Sequence, residues 1–171
     1  EAMLREVLLK AVPVYIHASS TGPVLAAQFY AYLSKSGEDP AAIRGSLGYD
    51  PLGTLARSGQ IPGGWNQAGQ WLSDLATYHS QHLPHFCAAD VSGLPYHESG
   101  ASAVQELAFT AATAVEYFRV MLETYPQGLN ASQAARQMRW ILGVGPNLYM
   151  EIAKFRAARL VWSRILESMD V

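Results

Sequence analysis

Apolar positions along this chain alternate between two spacings. VPVYIHA (12–18) is short, β-branched and aromatic, is bounded by SSTGP, and predicts a buried strand. Pro23 then suits the first turn of a helix, VLAAQFYAYLSKS supplies its apolar face, and Gly37 closes it. A second strand, interrupted by two glycines, is predicted over 43–53 (IRGSLGYDPLG), followed by a loop, ARSGQIPGG. Trp71, Leu72, Leu75 and Tyr78 mark a helix over 65–84, and FCAADVSG (86–93) a third strand. The next helix carries the longest stripe: Val104, Leu107, Ala108, Ala111, Val115, Phe118, Met121 and Leu122. A short helix over Ala131–Gln137 leads to a fourth strand, MRWILGVG (138–145). Pro146 opens a last helix with the stripe Leu148, Ile152, Phe155, Trp162 and Ile165.

The order βαβαβαβα places the chain in the α/β class with parallel strands. Right-handed crossovers leave a doubly wound sheet or a (β/α) barrel. The polar or Gly-rich runs SSTG, GYDPLG, SGLPYHESGA and GVGPN all follow strand C-termini, the rim where both architectures bind ligands. Four units amount to half of an eight-unit barrel. The chain also opens at Glu1 on a helical pattern with no cap before it, as expected of a portion of a longer polypeptide.

Only 15% of the 171 residues are charged, against about 25% in a typical soluble domain, which suggests that part of the surface is covered by something else. A net charge of −2 gives no footing for nucleic acid or an anionic membrane, and no apolar run approaches the ~20 residues of a membrane span. Cys87 is the only cysteine, which excludes an intrachain disulfide and fits a reducing, cytoplasmic setting.

Two constellations invite chemistry. Tyr96 and His97 are adjacent in the rim segment after the third strand, where a histidine suits acid–base work near neutral pH and a tyrosine could steer a substrate. The alternative is a loop pair that only caps or packs. In YHSQHLPHFC, His79, His82, His85 and Cys87 suggest a metal. Pro84 breaks the helix before His85, however, and no second cluster supplies further ligands. A solvated helix end whose histidines complement the C-terminal dipole is the expectation there, with no metal bound. GSLGYDPLG and GVGP match neither a P-loop nor a full dinucleotide fingerprint and read as tight turns. Lys154, Arg156, Arg159 and Arg164, with Glu151 and Glu167, read as a mixed solvated face; Arg136 and Arg139 flank the fourth strand, where an arginine could meet a carboxylate or phosphate, a surface ion pair being the commoner role.

YHESGASAVQELAFTAATAVEYFR and GPNLYMEIAKFRAARLVWSRILE resemble the barrel domain of adenosylcobalamin-dependent acyl-CoA mutases, above all the methylmalonyl-CoA mutase family. GSLGYDPLGTLARSG resembles that family's small, non-catalytic subunit. The resemblance covers nearly the whole chain and is most specific over 92–119 and 143–166. It implies that residues 1–171 are a middle portion of a (β/α)8 TIM-type barrel, without its first strands, last strands and cobalamin domain. In the family's catalytic subunits a Tyr-His pair directly follows the Ser-Gly that ends the third strand. Aligned without gaps, that pair falls on Leu94 and Pro95, and Tyr96 and His97 lie two residues late. Leucine offers no phenol and proline no exchangeable proton, so no catalytic residue is expected here. Arg136 matches a substrate-site arginine and Trp140 keeps an aromatic, while Met138 and Arg139 differ. The resemblance therefore implies a structural small subunit that packs against a catalytic large subunit, with adenosylcobalamin in the parent complex and none on this segment. Alternatives are a catalytic mutase of altered substrate served by Tyr96 and His97, or a histidine-cluster metal protein. Alone, the segment is expected to self-associate through open sheet edges.

Overall fold

In the computed structural model, which describes residues 4, 6–123, 129–169 and 171, the elements run β1 (Val14–Tyr15), α1 (Gly22–Ser36), β2 (Gly45–Tyr49), α2 (Pro51–Ser58), α3 (Gly64–His82), β3 (Phe86–Ser92), α4 (Leu94–Glu98), α5 (Ala103–Glu123), α6 (Ala131–Arg136), β4 (Met138–Ile141) and α7 (Leu148–Glu167). Glu1, the expected abrupt opening, lies outside the described residues. All strand pairs are parallel and the sheet order is β1-β2-β3-β4. A doubly wound sheet reverses direction at a switch point, and this order does not. Right-handed crossovers that always step the same way put the helices on one face, as in part of a TIM-type barrel. The sheet is curled: Arg139 of β4 lays its guanidinium 4.3 Å from the ring centre of Tyr15 on β1, three strands away.

The core lies between the sheet and its helices. Phe29 of α1 stacks on Phe86 of β3 with ring centres 5.2 Å apart, and Leu47, Leu72, Val91, Tyr117, Phe118 and Met121 are buried around them. Each such side chain contributes about 1.5–3 kcal/mol on burial. Trp162 of α7 packs on Trp140 of β4 and edge-on to Phe118.

Several boundaries depart from the sequence pattern for local reasons. β1 keeps only two of its seven expected residues. The chain beyond it still bonds to β2 through Ile16 N–H to Ser46 O and Ser19 N–H to Gly48 O, but irregularly. Gly48 is responsible: its φ is +70°, and a Cβ there would come within 2.0 Å of the Ile16 carbonyl. β2 stops at Tyr49 because Asp50 caps a new helix, α2, whose Pro51 fills the first turn. The last three residues of the expected strand and the first three of the expected loop are therefore helical. α4 occupies five residues of the SGLPYHESGA loop, and β4 ends at Ile141, four residues early.

Two helices are also rotated from their apparent stripes. On α5, Val104 and Ala108 are exposed, while Glu106, Thr110, Thr113 and Tyr117 are buried. On α7, Leu148, Ile152 and Phe155 are exposed, and Glu151 and Lys154, expected on a solvated face, are buried with Ala158. Lys154 faces inward because α5 offers it Glu106, a fully buried carboxylate 2.8 Å away.

Candidate functional site: the rim at the strand C-termini

The C-terminal ends of the four strands enclose a cavity of about 200 Å³, lined by His17 and Ser19 after β1, Gly48 and Asp50 around the end of β2, Asp90 and Ser92 of β3, Leu94 of α4 and Ile141 of β4. Thr54 and Arg57 of α2 reach it from the side. Ser19 holds φ +49°, uncommon for a residue with a side chain, and its hydroxyl pairs with that of Thr54 at 2.8 Å.

Asp50 is the buried carboxylate of this rim. Its Oδ1 accepts hydrogen bonds from the Tyr117 hydroxyl at 2.6 Å and from the Gly53 N–H at 3.0 Å. Burial outweighs those hydrogen bonds and pushes its pKa up to about 6. Asp90 is buried as well, and it is paired with a cation. Ser46 donates to its Oδ1 at 2.7 Å, and Arg139 grips both oxygens, with Nε on Oδ1 at 2.9 Å and Nη2 on Oδ2. Arg139 is thus a strand residue paired inside the fold, where a surface ion pair was expected.

Leu94 is half-buried and lines the cavity, and Pro95 behind it is buried in the first turn of α4. Tyr96 and His97 do not line the cavity. The Tyr96 ring packs on Phe109 of α5, with centres 5.0 Å apart. His97 places Nδ1 3.3 Å from Glu106 Oε2, and its ring lies against Gly143, where a Cβ would come within 2.4 Å of it. Glu106 Oε1 also accepts the Gly143 N–H at 2.7 Å. Lys154 donates to Glu106, to the Gly143 carbonyl at 2.8 Å, and pairs with Glu151. One buried network therefore binds α4, α5, α7 and the β4–α7 loop together.

Arg136 ends α6, exposed, beside the N-terminal end of β4, and does not line the rim cavity. Trp140 is packed under α7 rather than on the cavity. Of the histidine cluster, His82 is exposed with its ring tilted against Tyr78, and His85 is exposed. His79 corrects the expectation of a solvated helix end, because it is fully buried. Its Nδ1–H donates to the Phe86 carbonyl at 2.9 Å, which can only accept, so Nε2 accepts from the Tyr30 hydroxyl at 2.5 Å. Burial pulls the imidazole down to about 4. Among the described residues, no group of three or more His, Cys, Asp and Glu is placed to hold a metal ion, and no helix is long and apolar enough to cross a membrane.

Asp50, Asp90 and Glu106 escaped sequence reasoning, though two left signals. Asp50-Pro51 is a helix-start dipeptide, and Asp90 is a lone charge in an otherwise apolar strand, which demands a buried partner.

The methylmalonyl-CoA mutase family model matches residues 1–170. The chain is 36% identical to the methylmalonyl-CoA mutase small subunit of Streptomyces virginiae over 171 residues, all of this chain and 27% of that subunit. It is 38% identical to the large subunit from the same organism over 99 residues, 58% of this chain and 13% of that one. To the mitochondrial methylmalonyl-CoA mutase of Mus musculus it is 40% identical over 98 residues, 57% of this chain and 13% of the mouse protein. The chain thus spans about a quarter or less of the length of these relatives. With its parallel sheet in sequential order, and with similarity along its entire length, the chain belongs to the methylmalonyl-CoA mutase family.

Proposed function

We propose that this chain is a contiguous portion, residues 1–171, of the barrel domain of a structural small subunit. That subunit would pack against and stabilise the catalytic large subunit of a cytoplasmic, two-subunit enzyme interconverting methylmalonyl-CoA and succinyl-CoA. One observation carries the non-catalytic role: at the rim, Leu94 faces the cavity, while Tyr96 and His97 are turned into helix contacts. A leucine offers a reacting centre neither a proton nor a hydrogen bond. The similarity to a small subunit over the full chain supports the same assignment.

The family's cofactor, adenosylcobalamin, supplies an organic radical by homolysis of its cobalt–carbon bond when bound. This segment does not fit it. The rim cavity is far smaller than a corrin macrocycle, and its one histidine, His17, faces Asp90 Oδ2 at 3.9 Å. No residue described here is assigned to the cofactor, and no step is routed through this segment. Arg136, away from the cavity, has no substrate role in this proposal.

The decisive experiment is His97→Gln in the reconstituted two-subunit enzyme. Glutamine retains a hydrogen bond to Glu106, so assembly should persist and turnover should stay within about twofold. A general acid would cost about 10²–10⁴ in rate. A loss of that size with subunit assembly intact would give His97 a catalytic role and overturn the proposal.

A further inference from the structure

The eight-residue helix α2 is buried at one end only. Pro51 and Gly53 of its first turn are buried, whereas Leu55, Ala56, Arg57 and Ser58 are exposed. A clasp fastens the buried end. Tyr117 of α5, itself fully buried, donates its hydroxyl to Asp50 Oδ1 at 2.6 Å and accepts the Leu52 N–H at 2.8 Å. One hydroxyl thus engages both the cap and the first turn of the helix. Asp50 also accepts the Gly53 N–H at 3.0 Å on Oδ1, and the Ser19 hydroxyl meets that of Thr54 at 2.8 Å.

The other end is a hinge. α2 stops at Gly59, with φ +73°, and α3 starts on Gly64, with φ +77°; a Cβ on either residue would meet nothing within 4 Å. Both residues turn in open space, where a glycine adopts left-handed backbone without steric cost. A short helix with half its length exposed belongs to the low-stability end of a fold, where local opening precedes global unfolding. Gly53, Thr54 and Arg57 form a side wall of the rim cavity, so displacing α2 opens that cavity through the outer layer.

We propose that α2 is a hinged lid on the side of the rim, turning about Gly59 and Gly64 and latched by the Asp50–Tyr117 clasp, and that the protonation state of Asp50 sets how firmly it is latched. The groups that act on Asp50 are Tyr117 of α5, Asp90 of β3 and Arg57 of α2 itself. Tyr49 of β2 acts on Tyr117, and His17 and Arg139 of β4 face Asp90. Burial, reinforced by the Asp90 charge, outweighs the Tyr117 and Gly53 hydrogen bonds and holds the latched acid at about 6. A neutral carboxyl keeps Oδ1 as the acceptor for both donors. When α2 swings away the carboxyl is hydrated and returns to its ordinary 3.8. The latched state therefore binds the proton more tightly. The latch is firmest below pH 3.8, weakens as pH rises to about 6 and is constant above that.

The test is hydrogen exchange of the complete polypeptide carrying this segment, read over residues 51–59 and corrected for the intrinsic pH dependence of amide exchange. Between pH 5 and 7 the lid amides should lose about tenfold in protection, while those of α3 and α5 keep theirs. In Asp50→Asn the side-chain oxygen still accepts from Tyr117 and Gly53, and the tenfold change should vanish. The same pH dependence in the wild type and the variant would overturn the lid, as would loss of protection in α3 and α5 in step with α2. Should Asp50→Asn not fold, the wild type decides alone: protection over 51–59 that stays flat from pH 5 to 7 refutes the proposal.

Discussion

Asp50 and His79 are both buried, and burial moves their protonation in opposite senses. Asp50 has its pKa raised to about 6 from 3.8, so the native state holds its proton more tightly than the unfolded chain. The stability it contributes is full below pH 3.8 and is lost as pH rises through about 6. His79 is lowered from 6.5 to about 4, so its contribution is full above pH 6.5 and is lost as pH falls through about 4. Each shift corresponds to roughly 3 kcal/mol, and the two windows overlap almost completely. Unfolding free energy should therefore change little between pH 6.5 and 4 in the wild type, as far as these groups decide it. Asp50→Asn, which still caps α2, should lose stability steeply on acidification, and His79→Gln should gain it. Urea titrations at pH 4, 5 and 6.5 would expose parallel profiles in the two variants if this account is wrong. Neither environment was legible in the sequence. His79 was indistinguishable from its neighbours His82 and His85, because the Tyr30 and Phe86 groups that bury it come from other elements.

At the scale of elements, the sequence spoke clearly wherever period and punctuation agreed. α1 begins beside Pro23 and ends at Gly37, as its pattern requires, and α6 carries a capping box between Asn130 and Gln133. α7 misled because it is apolar around much of its circumference, so more than one stripe satisfies a 3.6-residue period. The face it buries was chosen by Glu106, forty-eight residues away in sequence. That choice is testable. Lys154→Met should leave the buried Glu106 carboxylate without its cation, at a cost of about 3–5 kcal/mol. Adding Glu106→Gln should restore part of the loss, since no buried charge then lacks its partner at that position. Denaturant midpoints of the single and double variants measure the coupling, and a double variant no better than the single would refute the ion-pair assignment. The rim was legible in outline, since every polar run after a strand does reach the C-terminal end. Its chemistry was not, because Asp90 and Arg139 meet only when β3 and β4 pair in register.

The whole molecule presents β1 and β4 as the outer strands of its sheet among the described residues, and Leu148, Ile152, Phe155 and Leu160 of α7 stand exposed beside the β4 side. Outer strands offer unpaired N–H and C=O groups that recruit other chains. Covering several hundred Å² of apolar surface at about 25 cal/mol per Å² is a strong drive toward association. The 171-residue chain by itself should therefore form dimers or larger species at micromolar concentration. A monodisperse 18.6 kDa particle in light scattering would show that the curled sheet and its inner layer suffice alone. Because each strand pairs with its immediate successor, no early segment must wait for a distant one. Each of β2, β3 and β4 leaves the ribosome with the strand it pairs with already made, so this part of the sheet is suited to growing in the direction of synthesis. The unit that ends in α7 brings its own latch, Lys154 on Glu106, and protease resistance of these four units in nascent chains should rise with the emergence of α7.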